Sequence, residues 1–480
     1  MMRSLYSGVS GLKVHQTKMD VIGNNISNVN TVGFKASTVT FSDVLYQTSS
    51  SASGPSQTTG KTGVNAKQIG LGAGLASIQA AMTTSGGSQR TDNPFDIMIE
   101  GSGFFIVNNG SGNVFTKAGN FTVDANGTLC NANGYAVMGW QVDPNDPAKC
   151  VADNVSPLRI MAPENTTVAP EATKDCYITG NIDSRDTQIA SDTGKTVSMS
   201  FYDSLGQSYM LTMRVVQTAE STSQYSVTPI NIFNSDGSSI FMNTVTDPET
   251  GAVTYESTAI ETFTIGGQSY TATVDADTGA VTFDNEEGNF LTFNGATGHF
   301  VGVGEQDSTD TSIPFKIAAT PDPFETINVD FSTITMYANS GMSNLESVKG
   351  DTKGYNAGKM AGSMSGVSIS TTGEIYGVYD NGDTSLLGQI VVATFKNASG
   401  LEALGNNLYK TTMNSGDFDG VGEDVSASGG SFTTGVLEMS NVDLAQQFTD
   451  MITTQRGFQA NSRIITTSDT LLEELINLKR

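Results

Sequence analysis

The side chains that most often perform catalysis or bind metal ions are few in this sequence and widely separated. Histidine, a common general base and zinc ligand, occurs only at His15 and His299. His15 lies in a helix-forming segment and His299 in a Gly-Ala-Thr-Gly-His turn, so a shared site would need two remote parts of the chain to meet. We expect both histidines to be packing or surface residues.

Other segments imitate ligand-binding loops without completing them. Gly60-Lys61-Thr62 has the end of a phosphate-binding loop, but Pro55 occupies the position of the required first glycine. Residues 275–279 and 417–420 suggest calcium loops, yet neither has the bidentate glutamate at the twelfth position. The sequence therefore predicts no metal site, no cofactor and no enzymatic activity.

The clearest periodic feature is a seven-residue spacing of apolar side chains at both ends of the chain. Such spacing keeps a narrow apolar line on one side of a helix, as in coiled coils. We predict a helix over residues 4–29 and another that begins near Ser440, with Ser440 and Asp443 forming an approximate capping box. The predicted seam consists of Leu5, Leu12, Met19, Ile22, Ile26, Leu437, Leu444, Met451, Phe458, Ile465 and Leu472.

These lines could also be the core faces of ordinary amphipathic helices. Two properties favour contacts between subunits. The apolar line is only one or two residues wide per heptad, which is thin for a core helix. The other positions are mostly uncharged amides and hydroxyls, which suit a crowded lattice of helices. We therefore predict that the helices pack between copies of the chain.

The region between the ends has the composition of a turn-rich β protein. It contains alternating apolar residues and Asn-Gly pairs, as at Asn126-Gly127 and Asn133-Gly134, which are typical of hairpins. The formal net charge is -25, and nearly all of the acidic excess lies in this middle region. An acidic surface argues against binding to nucleic acid or to anionic membranes. No apolar run has the length of a membrane span, and we expect no membrane insertion.

These signals predict a mainly β fold with terminal helices that pair as a coiled-coil-like domain. We expect an inner helical domain of residues 1–33 and 437–480 and an extended connector of residues 34–78, whose part at 48–62 has a flexible composition. An inner β domain would contain residues 79–150 and 346–435. An outer β domain would contain residues 151–345.

Several segments resemble the flagellar rod and hook protein family. They include SLYSGVSGLKVHQTKMDVIGNNISNVNTVGFK at residues 4–35, NPFDIMIEGSGFFIV at 93–107, and the segment from Leu437 to the last residue. The match covers both ends and most of the inner body. The signature positions are Asn24, Asn25, Asn28, Gly33, Phe34, Lys35, Asn441, Asp443, Gln455 and Arg456.

The resemblance implies a structural subunit that polymerises with itself into a hollow curved tube, a flexible joint that transmits torque. It also implies contacts with the flagellar rod, the hook cap, the hook–filament junction proteins and the type III export apparatus. Export would occur without a cleaved signal peptide. The large insertion of about residues 150–345 favours the hook-type members over the shorter distal rod type. A secreted β-rich adhesin is the alternative from another class.

Cysteine usage gives one further hypothesis. Cys130, Cys150 and Cys176 are an odd number, so a complete disulfide framework is excluded. In spirochetes, some members of the family join neighbouring subunits through a cysteine–lysine cross-link. Cys176, two positions after Lys174, is the candidate here, although a free cysteine is more often a small buried packing residue.

Overall fold

The computed structural model describes residues 2–55, 60–144, 146–218, 221–246, 253–285, 288–305 and 308–478. Outside these ranges lie residues 56–59 of the predicted connector, short stretches of the predicted β domains, and the last two residues of the predicted helical domain. The described chain is mainly β structure with one long helix near each end, which confirms the predicted fold class. Among the described residues, no helix is long and apolar enough to cross a lipid bilayer.

The two long helices are α1, Met2–Ser27, and α2, Leu444–Asn477. α1 ends in an asparagine-rich segment, two residues before the predicted end at residue 29. The side-chain Nδ2 of Asn28 donates to the backbone carbonyl oxygen of Asn24 at 2.9 Å. An asparagine that bonds the backbone of the last turn competes with continuation of the helix.

The start of α2 differs from the prediction. Its N-cap is Asp443, whose Oδ1 accepts from the backbone N–H groups of Ala445 at 2.8 Å and Gln446 at 3.3 Å. The proposed cap at Ser440 was therefore wrong. A carboxylate satisfies the free N–H groups and also faces the positive end of the helix dipole, so the aspartate is the better cap. Leu437, predicted within the helical seam, lies in a short strand before α2.

The connector after α1 is extended and hydrogen-bonded to itself. Four of its strands form two antiparallel pairs, β1 (Ser37–Asp43) with β4 (Ala73–Ala80) and β2 (Tyr46–Ser50) with β3 (Lys67–Gly70), and the backbones of Ser53 and Val64 bond each other further along. The flexible composition of residues 48–62 therefore corresponds to a hairpin in the part that is described. The strands of this segment are β1 (Ser37–Asp43), β2 (Tyr46–Ser50), β3 (Lys67–Gly70), β4 (Ala73–Ala80) and β5 (Ser88–Arg90).

The chain folds into two compact units. The first contains Met1–Thr166, Ser365–Val378 and Thr384–Arg480, and the second contains Thr167–Met364 and Tyr379–Asp383. The chain thus leaves the first unit, builds the second and returns. Both helices and the connector belong to the first unit. The division into separate helical, inner and outer domains stays a prediction.

The outgoing part of the first unit supplies short strands and tight turns. In the turn between its fourth and fifth strands, Gly127 has φ of 78°, which glycine adopts without strain. These strands are β6 (Ile97–Glu100), β7 (Phe104–Asn108), β8 (Asn113–Thr116), β9 (Phe121–Val123), β10 (Leu129–Asn131), β11 (Ala136–Trp140), β12 (Val142–Asp143), β13 (Asp146–Cys150) and β14 (Ser156–Pro157); the 3₁₀ helix η1 (Pro163–Asn165) follows.

The second unit contains two large sheets around a shared core, and β20 (Met242–Thr246) and β21 (Val253–Ser257) form a separate pair. Phe201 and Phe315, from different sheets, have ring centroids 5.5 Å apart. Its strands are β15 (Thr167–Val168), β16 (Asp175–Asn181), β17 (Lys195–Tyr202), β18 (Ser208–Gln217), β19 (Gln224–Asn234), β20 (Met242–Thr246), β21 (Val253–Ser257), β22 (Thr262–Ile265), β23 (Gln268–Val274), β24 (Val281–Phe283), β25 (Asn289–Phe293), β26 (Phe300–Gly304), β27 (Ser312–Ala318), β28 (Ile327–Asp330), β29 (Ile334–Thr335) and β30 (Asn344–Lys349). One sheet has the order β24-β23-β22-β27-β28-β16-β29, with β30 also on β16, and the other has the order β17-β18-β19-β25-β26.

The returning chain completes the first unit. Its strands, β31 to β38 with the ranges given below, pair with strands of the outgoing part. The order is β31-β32-β33-β11-β7-β8-β36-β35, in which β7, β8 and β11 are outgoing, while β37 pairs with β6 and β38 with β5. Phe115, Phe395 and Phe418 form part of the aromatic core. The returning elements are β31 (Gly362–Ile369), β32 (Glu374–Tyr379), β33 (Thr384–Ile390), β34 (Val392–Ala393), η2 (Ala398–Gly400), β35 (Glu402–Gly405), β36 (Leu408–Lys410), η3 (Val425–Ser428), β37 (Ser431–Thr434) and β38 (Val436–Glu438).

Candidate functional site

The two terminal helices pack against each other in antiparallel orientation. At one end, the hydroxyls of Ser4 and Ser468 lie 3.4 Å apart. Lys18 Nζ is 3.4 Å from Asp450 Oδ1 further along the pair. Close to the other end, Asn25 Nδ2 donates to Gln447 Oε1 at 3.1 Å. The pair therefore runs along almost the whole of α1.

The contact line between the helices is built mainly from small and polar residues. A Cβ built on Gly8 would lie 3.2 Å from Ile465, and one built on Gly11 would lie 2.6 Å from the side chain of Asn461. Helices with glycine at the contact can approach closely because no side chain separates the backbones. On α1 the line follows a four-three spacing through Ser4, Gly8, Gly11, His15, Lys18, Ile22 and Asn25.

His15 occupies the middle of this contact line. A Cβ built on Gly457 of α2 would lie 2.7 Å from the imidazole ring, so the ring fills the space that the glycine leaves. On another side, the ring meets Phe41 of β1 edge to face, with centroids 5.8 Å apart. Its Nδ1 is buried without a hydrogen-bond partner among the described residues. Burial, and then the positive charge of Lys18, lower the pKa of His15.

The predicted apolar seam lies partly on this contact and partly beside it, since Ile22 belongs to the line and Ile465 lies against Gly8. On α1, Ile22 is buried, whereas Leu5, Leu12, Met19 and Ile26 are half-buried, each one position after a contact residue. On α2, Met451, Phe458, Ile465 and Leu472 are half-buried, and Leu444 is 39% exposed. The sequence reasoning missed the small and polar contact residues. The four-three spacing of these residues along α1 could have indicated a contact face. A hydropathy pattern does not show this spacing, because the residues are mostly not apolar.

Two apolar patches of α2 remain open to solvent in the single chain. The first, patch A, contains Leu444, Phe448 and Ile452, whose four-residue spacing keeps them on one face; Phe448 is 51% and Ile452 is 58% exposed. The second, patch B, contains Ile464, Leu471 and Leu475, all between 42% and 52% exposed. Contiguous exposed apolar side chains of this kind mark surfaces that bind another protein.

Asparagine side chains attach the helix pair to the β structure. The amide of Asn25 is buried and bonds both the carbonyl oxygen and the N–H of Ser37. Asn441 accepts from the N–H of Ala36 at 2.7 Å, and it donates to the carbonyl oxygens of Ala81 and Thr84. Three chain segments that are remote in sequence are thereby fixed at the base of the helices.

A buried ion pair lies at the same junction. Lys35 Nζ is 2.7 Å from Glu438 Oε1, and both side chains are 1% exposed. Lys35 also donates to the carbonyl oxygen of Thr84, and Glu438 accepts from the N–H of Gly86. Because charges out of water need such partners, this geometry fixes the ends of α1 and α2 on the first unit.

Lys117 is a second buried lysine close to this ion pair. Its Nζ donates to the carbonyl oxygen of Gly101 at 2.8 Å and lies 5.0 Å from the ring centre of Phe104. Burial, together with repulsion from Lys35 and against attraction by Glu438, lowers the pKa of Lys117 to about 8. The junction therefore contains an amine that can lose its charge at mildly alkaline pH.

The remaining signature residues fall into two groups. Gly33 has φ of 68° and lies against the backbone of Lys117 and Ala118, so a side chain there would meet backbone atoms. The carbonyl oxygen of Phe34 accepts from the N–H of Asn441 at 3.4 Å. Gln455 and Arg456 are exposed on α2. Much of the signature thus builds the junction, whereas Asn24, Asp443, Gln455 and Arg456 are exposed.

The other candidate residues do not converge on a common site. His299 lies in the second unit, where its Nδ1 is 3.4 Å from the hydroxyl of Tyr337. The described residues contain no group of three metal-ligating side chains. Cys176 is buried in β16, and burial raises the pKa of its thiol to about 12, so the reactive thiolate is suppressed in the single chain.

Comparison with known proteins gives matches along nearly the whole chain. The family models are "Flagella basal body rod protein" at residues 5–35, "Flagellar hook protein FlgE/F/G D1 domain" at 98–179, "Flagellar basal body protein FlaE D2 domain" at 173–351 and "Flagellar basal body rod FlgEFG protein C-terminal" at 433–478. These matches define the class, a flagellar axial protein of the rod and hook type.

Similar individual proteins narrow the class. The chain is 36% identical over 493 residues to the flagellar hook protein FlgE of Borreliella burgdorferi and 35% identical over 506 residues to that of Treponema pallidum, with 100% of each chain covered. It is 27% identical over 480 residues to the flagellar basal-body rod protein FlgG of Bacillus subtilis, again with full coverage. The chain belongs to the flagellar hook protein family.

Membership confirms the hook interpretation made from the sequence motifs. The chain is a structural subunit of the flagellar hook, the joint that transmits torque in this family. It is a polymeric component of the flagellar axis and acts together with other flagellar proteins.

Proposed function

We propose that the α1–α2 pair is the element through which this hook subunit polymerises with copies of itself. The observation that carries the proposal is the exposed apolar surface of α2, patches A and B. This surface stays open although α2 already packs against α1 of the same chain. Burial of apolar area is the main driving force of stable association. A neighbouring helix pair is the matching occupant, since repetition of one contact builds a tube.

The finer assignments form part of the same proposal. Residues 1–33 and 437–480 would form the inner wall of the tube, residues 79–150 and 346–435 the inner β layer, and residues 151–345 the outer layer. The predicted seam residues, from Leu5 to Leu472, would be covered fully only in the polymer. The ends of the tube would meet the rod, the hook cap and the hook–filament junction proteins.

The subunit would reach its site through the type III export apparatus as an unfolded chain, without removal of a signal peptide. We assign it a mechanical role and no catalytic one. The scattered histidines and incomplete ligand loops support this assignment.

The decisive test places a charge in patch A. Ile452→Asp should abolish polymerisation, because burying an unpaired carboxylate costs about 3–5 kcal/mol in every subunit contact. Sedimentation and electron microscopy would measure assembly, and thermal unfolding would check the soluble subunit, which should melt like the wild type because Ile452 is 58% exposed.

Thr453→Asp is the matched control, since it adds the same charge at the next exposed position of α2, off the patch. The control should assemble. Normal hooks from Ile452→Asp, or early melting of its soluble subunit, would contradict a polymerisation role for the patch.

The cross-link hypothesis at Cys176 also stays a proposal. The buried thiol would have to become accessible during assembly before it could react with a lysine of a neighbouring copy. Hooks boiled in denaturant and reductant would then run as ladders on a gel. A single monomer band would show that Cys176 is only a packing residue.

A further inference from the structure

His15 is half-buried in an environment that disfavours a protonated imidazole. The ring lies between α1, α2 and β1, filling the space at Gly457 and packing edgewise on Phe41. A buried Nδ1 without a partner can remain neutral at modest cost, but the charged ring needs hydrogen-bond acceptors for both nitrogens. Among the described residues, no acceptor for Nδ1 is in place.

The charges around the ring do not favour protonation either. On its own helix, Lys18 lies one turn away and repels a positive imidazole. On α2, Gly457 carries no side chain, and the nearby carboxylate of Asp450 is engaged by Lys18 at 3.4 Å. On β1, the contact is the uncharged ring of Phe41, and Asp43 two positions further is exposed. Among the described residues, the groups that shift the pKa of the ring include Lys18 and no carboxylate.

From this geometry, we propose that His15 is an acid-sensitive switch of the helix pair: protonation of its imidazole separates α1 from α2 and dissociates the assembled hook. The inference rests on the proposed role of the helix pair in polymerisation. It adds a condition, namely that the pair is stable only with a neutral imidazole at this position.

The direction of the pH effect follows from the lowered pKa of His15. Because the pKa of His15 in the folded chain is lowered from its ordinary value, the unfolded chain binds the proton more readily than the folded one. The contribution of His15 to stability is therefore complete above about pH 6.5 and is lost as the pH falls through the lowered pKa.

The chain offers a matched pair of variants, because His15 and His299 are its only histidines. Hooks assembled at pH 8 would be brought to successively lower pH, and sedimentation would measure the polymer that remains. We expect wild-type and His299→Gln hooks to dissociate at the same acid midpoint. We expect His15→Gln hooks to persist to a clearly lower pH. Equal midpoints for all three would overturn the proposal.

A second measurement covers the case in which His15→Gln does not assemble. In hooks of the His299→Gln variant labelled with ¹⁵N-histidine, His15 gives the only imidazole signals, and solid-state NMR distinguishes the neutral from the charged ring. We expect a neutral ring until the polymer dissociates. A ring that becomes charged in intact hooks would overturn the switch without affecting the polymerisation proposal, which the Ile452→Asp test judges separately.

Discussion

At the scale of single residues, the junction below the helices holds the most unusual chemistry of the molecule. Lys35 and Glu438 form an ion pair that is almost completely removed from water, and Lys117 lies nearby with its own hydrogen bond. Lys35 is part of the family signature, but the sequence showed neither its burial nor its partner. The two residues are 403 positions apart, and no local pattern links such distant charges.

Loss of one partner of this pair should destabilise the first unit strongly. We expect Lys35→Met to lower the free energy of unfolding by about 3–5 kcal/mol, because it leaves the Glu438 carboxylate buried and uncompensated. Urea denaturation followed by circular dichroism would measure the change. Replacing both residues with apolar side chains should recover much of the loss.

The exposed pair Arg90–Asp92 provides the control, with side chains 82% and 72% exposed. Arg90→Gln should leave the denaturation midpoint nearly unchanged, because exposed ion pairs contribute little. A comparable loss at both sites would mean that burial of the Lys35–Glu438 pair has no special effect.

Lys117 should make stability depend on alkaline pH. Its pKa of about 8 lies below the ordinary lysine value, so between pH 8 and 10 the unfolded chain retains a proton that the folded chain has released. The contribution of Lys117 to the free energy of unfolding therefore rises with pH in that interval, by about 1 kcal/mol per pH unit.

The measurement compares the free energy of unfolding of the wild type with that of Lys117→Met at pH 8, 9 and 10. The relevant quantity is the difference between the two proteins in the slope of the free energy of unfolding against pH. Buried tyrosines whose pKa is about 12, such as Tyr225 and Tyr409, lower stability above pH 10 in both proteins. Parallel slopes would show that Lys117 remains charged in the folded chain.

At the scale of elements, the sequence predicted the two helices and only part of the faces by which they meet. The seven-residue apolar spacing identified where α1 and α2 lie, since periodicity is a property of the element itself. Apart from Ile22, the contact line on α1 consists of glycine, serine, asparagine, histidine and lysine, whose hydropathy carries no periodic signal. Likewise, the serine- and threonine-rich connector had the composition of a coil, whereas backbone pairing makes it a hairpin.

Glycine at the helix contact gives a direct test of this packing. A Cβ on Gly457 would lie 2.7 Å from the His15 ring, so Gly457→Ala should force the helices apart and reduce assembly. Gly23 of α1 has no heavy atom within 4 Å of the corresponding position. Gly23→Ala should therefore assemble normally and stabilise α1 by roughly 0.5–1 kcal/mol.

Sedimentation of assembled material and circular dichroism of the soluble chain would measure both variants. If Gly457→Ala assembles as well as Gly23→Ala, close approach of the helices at His15 is not needed in the polymer.

At the scale of the whole molecule, the prediction of a β body between terminal helices was confirmed. The residues at which the chain passes from one compact unit to the other are harder to predict from the sequence. The first unit recovers residues from 365 onward. Short alternating strands look alike on both sides of such a passage, and only long-range pairing shows to which sheet each belongs.

The proposed domain division predicts how a protease cuts the free subunit. With patches A and B uncovered, α2 should open and be removed early, together with α1, while the β units persist. Mass spectrometry of a timed trypsin digest would identify the fragments. Assembled hooks should protect the helices under the same conditions, and equal protection in dilute subunits would contradict the proposed division.

The Lys35–Glu438 ion pair also has a consequence for the order of events during synthesis. The first helix and its neighbouring lysine emerge from the ribosome early, but their partners belong to the last segment of the chain. Until both segments are present and folded, α1 has no α2 and Lys35 has no counter-charge. A chain truncated before Glu438 would therefore leave both the first helix and the buried lysine without their partners.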